Sequence, residues 1–360
     1  MKVLQIINSL NTGGAEKILC DTIPLYRKKG IEMDLLLLNG TKYPLLEELE
    51  IKSDCKIFSL GEGSPYNPFL IFKIIPFLKK YDVVHVHLFP ALYWVAFAKL
   101  LSNSKTKIVF TEHNTTNNRR SNTFLKFSDK IVYRQYDTLI TISEIVDSNL
   151  KNYLPTKNFS FKLIKNGVDL LKIFNAKALT KSSFEQNEDK KILLQVSSFT
   201  AQKDQKTLIR SLVYLPENTE LWLVGDGPLK KDCEKEVDSL LLKNRVKFLG
   251  IRMDVPALLK TADVVVLSSK HEGLSLASIE GMASGKPFIA SDVPGLTDVV
   301  KGAGILFSQG NERMLAEKIL ELLNNPSLYS SISEACVERS KEFNIEIMVN
   351  KHIDLYKSIL

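Results

Sequence analysis

Two glutamates, Glu272 and Glu280, mark the segment HEGLSLASIEGMASGKP at residues 271–287, which follows an apolar run at 264–267. The run reads as a buried parallel strand, and the segment passes through a glycine turn into a helix rich in small residues. Strand, glycine turn and helix start together aim free backbone N–H groups at an anion, phosphate above all. Two glutamates repel a phosphate. They suit instead the hydroxyls of a sugar or ribose, for which ionised carboxylates are pure acceptors. The combination points to a nucleotide-sugar. Spacing alone also fits a plainer reading, in which both acids are solvated residues favoured by the helix dipole.

Other polar residues fall at strand ends. Lys203, in VSSFTAQKDQKTLIRSL, lies in a loop after a strand and before a helix starting near Asp204. Neighbouring parallel strands end on the same sheet edge, so Lys203 reaches the same anion, and its compact ammonium suits a diphosphate. LVGDGPL, with Gly225 and Gly227, and FLGIR at 248–252, with Gly250 and Arg252, are further turns on that rim. Gly13 and Gly14 follow the first strand and open a helix; they fit a plain tight turn as well as close backbone approach to a ligand. Neither G-x-G-x-x-G nor a Walker lysine is present, which argues against a dehydrogenase or a P-loop ATPase. His85 and His87, in VVHVHLF, share one strand face and fit the common fate of buried, hydrogen-bonded histidines. His113, in VFTEHN, stands just past a strand end, where a ligand crevice forms.

The elements that position these residues alternate regularly. Strands are expected at 2–8, 34–38, 83–87, 107–112 and 138–142, then at 192–196, 220–224, 246–249, 264–267 and 288–290, with helices between them. Such repeats imply an α/β fold of doubly wound parallel sheets. A chain of 360 residues is long for one core, so two domains are expected, with the polar stretch 172–190 as boundary. Three helical stretches close the chain, the last with an apolar face of Ile345, Met348, Val349, Ile353, Tyr356 and Ile359.

Composition is that of an ordinary globular protein, 44% hydrophobic and 25% charged. The four cysteines show no disulfide or zinc spacing and fit a reducing cytosol. The opening MKVLQIINSL reads as a strand and not as a signal peptide. The longest apolar stretch, 83–101, is interrupted by His85, His87, Pro90 and Lys99, so no span crosses a membrane. Residues 1–170 hold 23 Lys+Arg against 16 Asp+Glu, so the whole excess of +7 lies there. A basic half fits an anionic partner or a merely solubilising surface. Arg119, Arg120, Lys126, Lys130 and Arg134, with Phe124, Phe127 and Ile131 interleaved, form a candidate membrane-surface segment. No nucleic-acid motif accompanies them.

Taken in order, GGAE at 13–16, TEHN at 111–114, NGVD at 166–169, Lys203 in QKDQKTL, GDGPL at 225–229, FLG at 248–250 and the E-x7-E pair Glu272 and Glu280 resemble the retaining glycosyltransferases of family four along nearly the whole chain. The resemblance implies the GT-B fold of two facing Rossmann-like domains: 1–171 for the acceptor, 172–342 for the donor, and 343–360 as a helix crossing back onto the first. It also implies that Glu280 holds the donor ribose, that Glu272 lies against the transferred sugar, and that His113 faces that sugar. Lys203 and the N–H groups of Gly14, Ser275 and Leu276 would neutralise the diphosphate, with Gly250 to Arg252 edging the base. The sequence departs from the family at Ser198, where an arginine is usual; Arg252 or another cation would have to replace it.

Breaking an anomeric C–O bond leaves a nucleoside diphosphate and an oxocarbenium-like sugar, so catalysis is mainly electrostatic support of the leaving group. No D-x-D cluster is present, and Lys203 with the helix dipole is expected to replace a metal, with no cofactor. The resemblance implies retention of configuration and, by family frequency, a UDP-sugar donor. Because the basic half is then the acceptor half, a saccharide or lipid-linked acceptor in surface polysaccharide assembly, such as lipopolysaccharide or capsule, is expected. The setting would be the cytoplasm, with peripheral attachment to the inner face of the membrane. A non-catalytic nucleotide-sugar-binding module and a sugar-nucleotide epimerase are the alternatives.

Overall fold

The computed structural model describes residues 1–115, 123–154, 159–180 and 189–360. The chain divides into two compact units, one of Met1–Gly167 with Ile345–Leu360, the other of Val168–Asn344. The first boundary falls just ahead of the polar stretch at 172–190, where residues 170–174 form a short helix.

The first unit holds seven strands: β1 (Lys2–Ile7), β2 (Glu32–Leu37), β3 (Ile57–Ser59), β4 (Val83–His87), β5 (Lys107–Glu112), β6 (Thr138–Thr141) and β7 (Phe161–Leu163). All pair in parallel, in the order β3-β2-β1-β4-β5-β6-β7. The second unit holds β8 (Lys191–Val196), β9 (Thr219–Val224), β10 (Val246–Gly250), β11 (Val264–Leu267), β12 (Phe288–Ser291) and β13 (Ile305–Phe307), also parallel, in the order β10-β9-β8-β11-β12-β13. A parallel sheet is covered by crossover helices on both faces, so its strands are apolar on both sides. The near-continuous burial of β1, β2, β4, β9 and β11 follows from this.

The short strands β3, β7 and β13, each three residues long and at the edges of their sheets, had no expectation from sequence. Three residues carry too little periodicity to be read. The other strands fall within one to three residues of where they were expected.

One face of the first sheet departs from the apolar rule. Alternation puts Leu4, Ile6, Val84, Val86, Ile108 and Phe110 into one hydrophobic cluster and leaves Gln5, His85, His87 and Thr111 on the opposite face. Gln5 lies beside His85 in the β1–β4 register. Against this polar face packs the helix Ile345–Ile359, which buries Met348, Val349, His352, Ile353, Leu355 and Tyr356. Its Tyr356 hydroxyl lies 2.6 Å from His85 Nδ1. Lys29 and Glu346 pair at 2.8 Å at the rim of the same contact.

Candidate functional site

In the second sheet the strand order reverses between β8 and β11, and a crevice opens outside the carboxyl ends of such strands. Gln195 braces that point: its Oε1 accepts from Ser268 N at 3.1 Å and Ser268 Oγ at 2.9 Å. The loop after β8 then bridges to the loop after β11 through Lys203 and Ser269. There the Lys203 ammonium pairs with Glu272 Oε1, and Ser269 Oγ donates to that same oxygen at 2.8 Å. Both side chains are largely shielded, at 14% and 11% exposed, so the pair is weakly screened by water. The two residues expected to act on the diphosphate and the sugar are thus in direct contact. Ser269 had no signal in the sequence.

Backbone holds Glu272 from behind. Its N–H donates to Pro294 O at 3.2 Å, and at Gly295, with φ +84°, a Cβ would come within 2.3 Å of Glu272 O. Any side chain there would push the Glu272 loop off the turn.

Ser275 precedes the helix Leu276–Ala283, and no side chain caps that helix start. Its first N–H groups therefore remain available to an anion. Glu280 lies about one turn in and is 6% exposed. Gly281 explains how closely this helix approaches the sheet, since a Cβ there would sit 2.6 Å from Phe288 Cδ2 and 3.0 Å from Val265 Cγ1.

The rim beside Lys203 is built from backbone. Gly225 and Gly227 have φ +130° and +154°, and Cβ atoms on them would lie 2.2 Å from Ser197 O and 2.6 Å from Phe199 O. Phe199 N donates to Asp226 O at 3.0 Å and Leu229 N to Phe199 O at 3.0 Å. The GDGPL turn and Ser197–Phe199 are therefore packed and hydrogen-bonded together, with Ser198 exposed. Gly250, at φ +66°, accepts from Gly225 N at 2.8 Å. Arg252 is forked onto Asp254, with contacts of 2.8 and 2.6 Å. Those bonds hold the Asp254 carboxyl below its ordinary range. A guanidinium committed in this way replaces the arginine absent at Ser198 only by giving up Asp254.

In the first sheet the order reverses between β1 and β4. Asn8 spans that point, donating to Phe89 O at 2.8 Å and accepting from Ala91 N at 3.3 Å. Gly13 caps the helix Gly14–Lys28 with extended backbone, and Gly14 is exposed as its first residue. A Cβ on Gly13 would strike the Glu16 carboxyl, whose burial raises its pKa.

His113 follows β5, with its Nε2 3.0 Å from His87 Nδ1. His87 Nε2 is 2.8 Å from Gln5 Oε1, and His85 Nε2 is 2.6 Å from Thr111 Oγ1. Burial pushes His85 and His87 well below the ordinary histidine pKa and His113 down to about 4, so all three rings are neutral at pH 7. His85 and His87 are buried and hydrogen-bonded as expected, and His87 also touches His113. Gln5 and Tyr356 were read as ordinary strand and apolar-face residues; they are polar members of this network.

Lys126 and Lys130 project from the helix Thr123–Tyr133 and are exposed, as are Phe127 at 66% and Ile131 at 40%. Arg119 and Arg120 lie outside the described residues. Among the described residues, one grouping of metal-ligand side chains occurs, Cys20, Asp21 and Glu48, and none of these is a residue named for the donor. No helix among the described residues is long and apolar enough to cross a membrane.

Comparison with known proteins agrees with this anatomy. Residues 177–339 match the family model "Glycosyl transferases group 1" and residues 12–171 match "Glycosyltransferase Family 4". Over 318 residues the chain is 26% identical to the N-acetyl-alpha-D-glucosaminyl L-malate synthase of Bacillus anthracis, covering 84% of this chain and 82% of that one. It is also 26% identical over 363 residues to a Campylobacter jejuni N-acetylgalactosaminyltransferase named for a diphospho-undecaprenol acceptor, with 94% of each covered. The fold is similar to that of Anabaena HepE, solved with UDP and glucose, at a TM-score of 0.87 and 22% identity over 99% of this chain and 100% of that one. With both of its sheets matched in this way, the chain belongs to the family 4 glycosyltransferases and has their GT-B type of fold.

Proposed function

We propose that this glycosyltransferase moves a sugar, with retention of configuration and without a metal, from a UDP-sugar to a saccharide or lipid-linked acceptor in surface polysaccharide assembly. The observation that carries the reading is the Lys203–Glu272 contact at the β8/β11 reversal, ahead of an uncapped helix start. In this reading Lys203 and the N–H groups of Ser275, Leu276 and Gly14 receive the diphosphate. Glu280 accepts from the ribose hydroxyls, Gly250 to Arg252 edge the base, and Glu272 and His113 face the transferred sugar.

The anomeric C–O bond breaks with its electron pair passing to the diphosphate, whose charge Lys203 and the helix start offset. The acceptor oxygen bonds to the anomeric carbon on the face the diphosphate leaves, and its proton passes to the departing phosphate oxygen. The relatives support a UDP-sugar donor and a lipid-linked acceptor: HepE was solved with UDP and glucose, and the Campylobacter enzyme is named for a diphospho-undecaprenol. Lys126, Lys130, Phe127 and Ile131 would then lie against an anionic bilayer at the cytoplasmic face.

The test is a thermal-shift screen over nucleotide-sugars, followed by transfer assays with and without EDTA. A UDP-sugar should raise the melting temperature, because a ligand of the folded state alone must stabilise it. Turnover with it should survive EDTA. Loss of turnover on chelation, restored by a divalent cation, refutes the metal-free reading.

A further inference from the structure

Behind His113 stands a directed chain of hydrogen bonds whose polarity can be read from its buried end. Gln5 is 1% exposed, with its amide Nε2 3.5 Å from Met33 Sδ and 3.4 Å from the Tyr356 hydroxyl. A thioether only accepts, so the amide nitrogen faces it and Oε1 faces His87. Gln5 Oε1 has no proton to give. His87 Nε2 must therefore carry the proton of that 2.8 Å contact. A neutral imidazole has one N–H, which leaves His87 Nδ1 as a lone pair. The 3.0 Å contact from His87 Nδ1 to His113 Nε2 then needs its proton from His113.

We infer that Gln5 and His87 are positioning residues, which hold His113 as the Nε2–H tautomer and so present its Nδ1 lone pair as a fixed hydrogen-bond acceptor for a substrate hydroxyl. Among the described residues no hydrogen bond to His113 Nδ1 occurs, and His113 follows the carboxyl end of β5. Burial keeps the ring neutral, so the lone pair persists at pH 7. The hydroxyl donor is on the transferred sugar or the acceptor; this part rests on the reading that His113 faces substrate. The far end of the chain is anchored outside the sheet, because Tyr356 belongs to the helix Ile345–Ile359 and also contacts His85. Helix and imidazole are thereby linked through Gln5.

The experiment uses the full chain with 15N-labelled histidine, whose five side chains are few enough to assign by long-range 15N–1H correlation. The expected result is His113 protonated on Nε2 only. Gln5→Leu removes the acceptor from His87, which then takes its proton on Nδ1 and forces His113 to the Nδ1–H form. Its kcat should fall about tenfold or more while the donor KM changes less than threefold, as for a loss of orientation and not of binding. Gln5→Glu keeps an acceptor for His87 and should retain both the tautomer and most of kcat. His87→Phe frees His113 by a second route should Gln5→Leu fail to fold. A wild-type His113 protonated on Nδ1, or a Gln5→Leu protein with unchanged tautomer and kcat, overturns the inference. If the tautomer switches as expected and His113→Ala still leaves turnover intact, the tautomer lock stands and the substrate-facing reading of His113 fails.

Discussion

Lys203 and Glu272 hold each other directly, so a diphosphate approaching Lys203 competes with the carboxylate for its ammonium. Glu272→Gln removes that competitor and should tighten UDP binding about fivefold, a change of about 1 kcal/mol by titration calorimetry. The same variant should lose sugar transfer by about two orders of magnitude if Glu272 faces the sugar. Lys203→Met should behave differently, weakening UDP binding and lowering turnover together. At this scale the glutamates and the lysine were legible as chemical types at strand ends. Ser269 was not, because a lone serine is common anywhere and becomes meaningful only when its hydroxyl is found on Glu272 Oε1.

Among the elements, the helix Leu276–Ala283 depends on Gly281 to approach β11 and β12. Gly281→Ala should overpack Phe288 and Val265, costing about 1–3 kcal/mol in chemical denaturation and weakening the site through Glu280 in the preceding position. His352, on the helix Ile345–Ile359, joins His85, His87 and His113 in setting an acid limit on the fold. Burial pushes His352 down to about 3 and His113 down to about 4, with His85 and His87 also lowered. The unfolded chain binds protons at about 6.5 that the folded chain refuses. Stability from these groups is therefore fully present above about pH 6.5 and is lost as pH falls toward 4. A melting curve measured against pH should drop steeply in that window, and His352→Gln should make the drop shallower.

At the scale of the molecule, the first unit is discontinuous, since its last helix comes after the whole second unit. Met348, Val349, Ile353, Leu355 and Tyr356 are buried in that helix. Burying five such side chains is worth on the order of 10 kcal/mol, comparable to a domain's entire stability. A protein ending at residue 344 should therefore lose the first unit's cooperative melting, while residues 168–344 alone, a continuous stretch, should still unfold cooperatively. The charge excess of residues 1–170 belongs to this scale too. Flotation with anionic vesicles at low salt should carry the protein, and Lys126→Glu with Lys130→Glu should abolish it. Failure of the unaltered protein to float would remove the membrane-facing reading.

The sequence by itself determined the two parallel sheets, the ordered motifs and the residue types at the strand ends. Each is a local pattern: an apolar run, a glycine at a turn, an acid at a fixed offset. Only the tertiary structure decided who partners whom. Arg252, a candidate replacement for the arginine absent at Ser198, is bound to Asp254. Gln5 reaches Tyr356 across 351 residues of chain, and His87 reaches His113 across 26. Hydrogen bonds between side chains so far apart leave no periodicity behind. Their donors and acceptors meet only because the sheet sets β1, β4 and β5 side by side and the final helix lies on the face they share.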